Sequence, residues 1–181
     1  DISILYPGNG SSGVSVSTNI RFQVSDAVAI RSNSLWVKIN GLLAVTNGLF
    51  QPGFAGPASL ISPVPAGYEV TVDPVSSLND GTNVSVQVYI ENSALLSKSL
   101  SWSFDTQDLT RPVLLSLSPA PGSTSVSPTN SITFSFKDNY SLSSNMLLVR
   151  GNSSTFVSNG VALNGAVADF LPDGSGRGWS L

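Results

Sequence analysis

The sequence predicts an all-β chain of two antiparallel β-sandwiches in tandem, the second of them incomplete. Apolar residues recur with period two rather than 3.6. Turn dipeptides punctuate them at short intervals. One stretch also occurs twice: residues 7–26 read PGNGSSGVSVSTNIRFQVSD and residues 119–138 read PAPGSTSVSPTNSITFSFKD. A shift of 112 positions superposes Pro7 on Pro119, Gly10 on Gly122, Val14 on Val126, Ile20 on Ile132, Phe22 on Phe134 and Asp26 on Asp138. The match runs without a gap through position 53, and 18 of those 53 pairs are identical, which marks a duplicated domain.

Within the first copy each strand follows from alternation. Residues 2–6 open the set. Ile20, Phe22 and Val24 alternate with polar residues, as do Leu35, Val37 and Ile39, and then Tyr68, Val70 and Val72. Such a pattern buries one face of a strand and wets the other. Val84, Val86, Val88 and Ile90 form the cleanest strand, and Leu100, Trp102 and Phe104 close the series. Pro-Gly at 7–8, Asn-Gly at 40–41 and 47–48, and Asp-Gly at 80–81 supply the turns. About seven short strands at this spacing predict a sandwich, and no helical stripe competes with them.

The domains run 1–107 and 113–181, joined by a linker at 108–112. That linker has no glycine, and Pro112 holds the residue before it extended, so it is expected to be stiff. The second copy repeats the schedule at 113–117, 132–136 and 147–149. Gly67-Tyr68 then aligns with Gly178-Trp179, and the counterparts of residues 71–106 are missing. The expectation is that the 181 residues belong to a longer chain. The sharper alternative is that a neighbouring subunit supplies the absent strands by donor-strand complementation.

Composition narrows the function. With no cysteine and no histidine, disulfides, thiolate or imidazole metal sites and the Ser-His-Asp triad are all excluded. Charged residues make up only 10 %, the net charge is −3, and the Lys and Arg are scattered, which argues against nucleic acid and anionic membranes as partners. No apolar run approaches the roughly 18 residues of a membrane span. GNGSSG at 8–13 precedes a strand and carries no lysine, so it reads as a turn and not a phosphate loop. The Asn-x-Ser sequons at Asn9, Asn83, Asn139 and Asn152 reflect a chain rich in both residues.

Candidate chemistry is sparse. Asp26 and Asp138 stand just after equivalent strands, where Asp turns the chain by accepting backbone N–H bonds. The alternative is a calcium ligand, with Asp105 or Asp108 near the joint. Asp80-Gly81 reads as a tight turn. Glu69 belongs on a wet strand face and Glu91 at a strand end, so no carboxylate pair for glycoside hydrolysis is expected. No catalytic residue, cofactor or metal is assigned. The most distinctive loop is LFQPGFAGP at 49–57, whose Phe50 and Phe54 are replaced by Ala162 and Ala166 in the second copy. Those rings are the candidate binding residues for a sugar or protein partner; the alternative is a lid folded back on the sandwich edge. Trp36, Trp102 and Trp179 are expected in the core.

The frame xP-x-x-G-x-x-x-V followed by a β stretch ending in Asp resembles the opening of bacterial immunoglobulin-like (Big-type) repeats. It is carried by Pro7, Gly10, Val14 and Asp26, then Leu78-Asn79-Asp80-Gly81-Thr82, and at the close Trp102-Ser103-Phe104-Asp105-Thr106. Pro119, Gly122, Val126 and Asp138 repeat it. The resemblance covers the first domain and the available part of the second. It implies tandem immunoglobulin-like sandwiches of the kind found in bacterial surface proteins and adhesins, and in bacteriophage tail, fibre and capsid proteins. There they serve as spacers, decorations or weak carbohydrate binders. An extracellular or virion-surface location follows, with other subunits of a large assembly and surface glycan as partners. The sequence departs at Glu91-Asn92-Ser93-Ala94-Leu95, where such repeats often carry Asp-x-x-Gly-Asn, so a role for that turn does not transfer.

Overall fold

The computed structural model describes residues 1–167, 169, 171–172 and 178–180. The chain divides into two compact units, Asp1–Leu109 and Thr110–Leu181.

Unit 1 contains two antiparallel sheets. One has the order β1 (Ile2–Tyr6), β2 (Ile20–Ser25), β7 (Gly67–Val72), β6 (Leu60–Val64). The other has the order β5 (Leu49–Phe50), β4 (Leu42–Thr46), β3 (Trp36–Ile39), β8 (Asn83–Glu91), β9 (Ser97–Asp105). Nine strands in these two orders make the variable-type immunoglobulin-like sandwich. Three strands carry no period-two signature, and β5, at two residues, is too short to show one. In β4 the pairing shifts between Val37 and Lys38, so Leu42 and Leu43 are exposed while the adjacent Ala44 and Val45 are both buried. In β6 Pro63 interrupts the pattern, and the strand lies at a sheet edge, where the missing N–H costs no ladder bond.

The core lies between the sheets. Ile20, Phe22, Val24, Val70 and Val72 come from one, and Val37, Ile39, Val84, Val86, Val88 and Phe104 from the other. Phe22 meets Trp102 edge to face across the gap, with ring centroids 6.0 Å apart and planes at 69°. The β2–β7 pair approaches closely at Ser25 and Gly67. A Cβ on Gly67 would run into the Val24 carbonyl, so that end of the pair requires glycine.

One expected core residue is not there. Trp36 is half-buried on the outer face, because Val37 and Ile39 point inward and period two sends Trp36 and Lys38 the other way. Trp102 is 4 % exposed and belongs to the core. The side chain of Trp179 lies outside the described residues.

Unit 2 follows the strand order of β1 to β7. One sheet is β10 (Val113–Ser118), β11 (Thr133–Lys137), β16 (Gly178–Ser180), β15 (Leu171–Pro172). The other is β12 (Leu148–Gly151), β13 (Ser154–Ser158), β14 (Val161–Ala162). The 3₁₀ turn at Ser144–Met146 and β12, β13 and β14 each stand 112 positions after the turn at Ser32–Ser34 and after β3, β4 and β5. Among the described residues β12 pairs with β13 alone, whereas β3 pairs with both β4 and β8. Ile132, the counterpart of the fully buried Ile20, is 65 % exposed. It borders a hollow of about 540 Å³ shared with Phe134, Val149, Phe156, Val157 and Leu171.

Candidate functional site

The strongest local construction in unit 1 is the place where the chain leaves it. After β9, Thr106 is 2 % exposed and forms an isolated parallel bridge with Val14. Its hydroxyl donates to the Asn79 carbonyl at 2.7 Å and accepts from the Thr82 N–H at 3.0 Å. The Gln107 N–H donates to the Val14 carbonyl at 2.7 Å, and the Gly81 N–H to the Gln107 carbonyl at 3.0 Å. The Leu109 N–H ends the series on the Asp80 carboxylate at 3.2 Å. The Asn79-Asp80-Gly81-Thr82 turn thus grips the exiting strand residue by residue. It is itself closed by the Thr82 hydroxyl on the Asn79 carbonyl, 2.9 Å. Only residues 110–112 separate this grip from β10.

Phe50 and Phe54, the sequence candidates for binding, are both half-buried and pack against the unit 1 core. Phe50 sits on β5 opposite Val45. Phe54 ends a 3₁₀ turn, Pro52–Phe54, and the loop after it is tied down at Asp73. The Gly56 N–H donates to the Asp73 carbonyl at 2.9 Å, and the Asp73 carboxylate accepts the Ala58 N–H at 3.0 Å. The Val75 N–H donates to the Gly53 carbonyl at 3.0 Å. The loop is therefore held, with its rings turned toward the core.

A different aromatic pair faces outward. Trp36 on β3 and Tyr89 on β8 are cross-strand partners whose rings stack at 5.6 Å between centroids and 8° between planes. Lys38 places its Nζ 5.4 Å from the Trp36 ring centroid. Tyr89 donates its O–H to Glu91 Oε1 at 2.6 Å, and Arg31 pairs with Glu91 Oε2 at 2.9 Å. That bond to Glu91, more than burial, holds the Tyr89 hydroxyl above its ordinary pKa. Next to this pair on the same face stand Gln87 and, on β9, Ser99 and Ser101. The signal for this face was in the sequence: if Val37, Val86 and Val88 point inward, then Trp36, Gln87 and Tyr89 point out.

The carboxylates serve the architecture. Asp26 Oδ1 accepts the Val28 N–H at 2.8 Å and the Asn92 side-chain amide at 3.4 Å. Those two bonds, the backbone one first, hold its pKa below the usual carboxylate value. Asp138 repeats the turn by accepting the Tyr140 N–H at 3.0 Å, and among the described residues its buried Oδ2 has no hydrogen-bond partner. Asp105 accepts the Asn83 amide at 2.7 Å, which uses it between β8 and β9. Glu69 pairs with Arg21 at 2.6 Å across β2 and β7, and Glu91 with Arg31, so the two glutamates are committed to different partners. Among the described residues no three Asp or Glu side chains gather into a group that could hold a metal ion.

No family model and no curated protein matches this chain. Among solved structures it is similar to the crystal structure of CopC from Methylosinus trichosporium OB3b, with a TM-score of 0.40 and 13 % identity over 61 % of this chain and 98 % of that one. It is also similar to the fibronectin(III)-like modules of Clostridium thermocellum CbhA, with a TM-score of 0.37 and 11 % identity over 75 % of this chain and 60 % of that one.

Proposed function

We propose that this chain is a non-enzymatic structural segment, a pair of tandem immunoglobulin-like spacer modules in an extracellular assembly such as a bacteriophage tail or fibre. One observation carries the reading. Unit 1 is hydrogen-bonded up to Leu109, and three residues later β10 begins, so the covalent joint has almost no slack. A joint of that kind transmits position from one module to the next. Asp26, Asp73, Asp105, Glu69 and Glu91 support the reading, since each is bonded within a loop or between neighbouring segments of unit 1. Because the chain contains no cysteine, Ser101→Cys and Ser154→Cys introduce a single pair of spin-label sites, one in each unit. Pulsed electron resonance should give a narrow distance distribution that broadens when Gly-Ser residues are inserted at 110–112. A broad distribution in the native chain would overturn the spacer reading.

A binding module is the second reading, and the outer face favours it through Trp36 and Tyr89 rather than through Phe50 and Phe54. Neutral glycans stack on aromatic rings and bond to amide and hydroxyl groups of the Gln87 and Ser101 kind. A glycan array probed with the native chain and with Trp36→Ala tests it; no glycan retained by the native chain removes this reading.

A further inference from the structure

The chain contains five Asn-Gly pairs, at 9–10, 40–41, 47–48, 159–160 and 164–165. This dipeptide is chemically labile because glycine puts no Cβ beside the nitrogen that attacks the preceding side chain. The backbone nitrogen of the glycine attacks Asn Cγ and gives up its proton, ammonia leaves, and a succinimide closes. One water then opens the ring to aspartate or to isoaspartate. For the attack, the glycine N–H and the Asn amide must both be able to turn toward each other.

In four of the five pairs a specific bond holds one partner away. Gly10 donates its N–H to the Ser103 carbonyl at 2.7 Å, while Asn9 Oδ1 takes the Ser103 N–H at 3.2 Å. Asn40 Oδ1 takes the Ser85 N–H at 2.9 Å. Gly48 donates its N–H to the Leu35 carbonyl at 3.1 Å. Asn164 donates its side-chain amide to the Thr155 carbonyl at 2.9 Å. The fifth pair is different: among the described residues, neither the Asn159 side chain nor the Gly160 N–H makes a hydrogen bond. Its own counterpart is the sharpest control. Asn47-Gly48 and Asn159-Gly160 occupy equivalent hairpin turns with nearly the same backbone, φ 52° and 72° against 50° and 71°. They differ in the bond to the Leu35 carbonyl.

We infer that Asn159 is the chain's site of spontaneous deamidation, a modification site at the tip of the β13–β14 hairpin. Conversion places a carboxylate on a surface of low charge. In the isoaspartate form it also adds one carbon to the backbone of a two-residue turn whose geometry sets the pairing of Ser158 with Val161.

The test is to age the folded 181-residue chain in mildly alkaline buffer and to map amide-to-acid conversion by peptide mass spectrometry with isoaspartate detection. The same chain unfolded in urea is run in parallel. Asn159 should convert first in the folded protein, about two- to tenfold faster than Asn47, the range one backbone hydrogen bond allows. In urea that difference should vanish. The inference is overturned if Asn47 or any of the other three converts as fast as Asn159 in the folded chain. It is equally overturned if folded Asn159 keeps its amide while the unfolded chain loses it.

Discussion

Replacing Thr106 by valine tests whether the exit of unit 1 is anchored as described. Valine keeps the shape of the buried side chain and removes only its hydroxyl. The hydroxyl proton, shared between the Asn79 carbonyl at 2.7 Å and the Thr82 carbonyl at 3.1 Å, is lost as a donor, and the oxygen is lost as the acceptor for the Thr82 N–H. At about 1 kcal/mol each, with a further penalty for the Thr82 N–H left without that acceptor, the cost is about 2–3 kcal/mol. For a domain of this size that lowers the melting temperature by roughly 10 °C or more. Thr106→Ser retains the hydroxyl and loses one methyl, so it should cost less than about 1 kcal/mol. Urea denaturation of the two variants beside the native chain measures both. If valine costs under about 0.5 kcal/mol, or if serine is the worse of the two, the hydroxyl network does not hold the exit of unit 1.

Phe50→Ala and Phe54→Ala should each destabilise unit 1 by about 1–2 kcal/mol, roughly half the cost of truncating a fully buried ring, as read from thermal denaturation. Unchanged stability would return those rings to the list of binding candidates. Asp26 has a folded pKa held below its unfolded value, so its stabilising contribution is complete above the ordinary Asp range near 4 and disappears as pH falls through the depressed folded value. An Asp26→Ala variant should be less stable than the native chain at neutral pH and converge with it in acid. Tyr89 has the opposite sign. Its folded pKa is raised, so the O–H bond to Glu91 contributes fully below about pH 10 and is lost as pH rises through the folded value. Glu91→Gln should bring the Tyr89 ionisation, followed by ultraviolet absorbance, back toward the ordinary value; no movement would deny that Glu91 causes the shift.

Much of unit 1 was legible in the sequence because period two is a direct consequence of strand geometry. The positions 20, 22, 24, 70, 72, 84, 86, 88 and 90 all read as inward-facing, and all are buried. The same rule, applied to the residues between them, places Trp36 and Tyr89 outside. Trp36 is expected in the core from its place in a strand pattern, but the alternation of that strand turns Val37 and Ile39 inward and Trp36 outward.

The order of the strands was not legible, because alternation says which face a residue takes and nothing about its neighbour. That β3 lies between β4 and β8, or that Leu42 and Leu43 are exposed ahead of a buried Ala44 and Val45, depends on pairing and on one register shift. The candidate sites divide in the same way. Asp26 and Asp138 as turn residues could be read from their place after a strand, since an Asx turn is made with the residue two positions on. The clamp on Thr106 joins residues 24 and 27 positions apart, and the protection that separates Asn47 from Asn159 rests on a bond to the Leu35 carbonyl, which stands just ahead of β3 and 13 positions before Gly48. By itself, then, the sequence determined the period, the turns and the duplication, all local properties of the chain. Only the tertiary structure decided which hydroxyl is gripped, which rings face water and which amide is free, because each of those depends on a partner that the chain brings near only by folding.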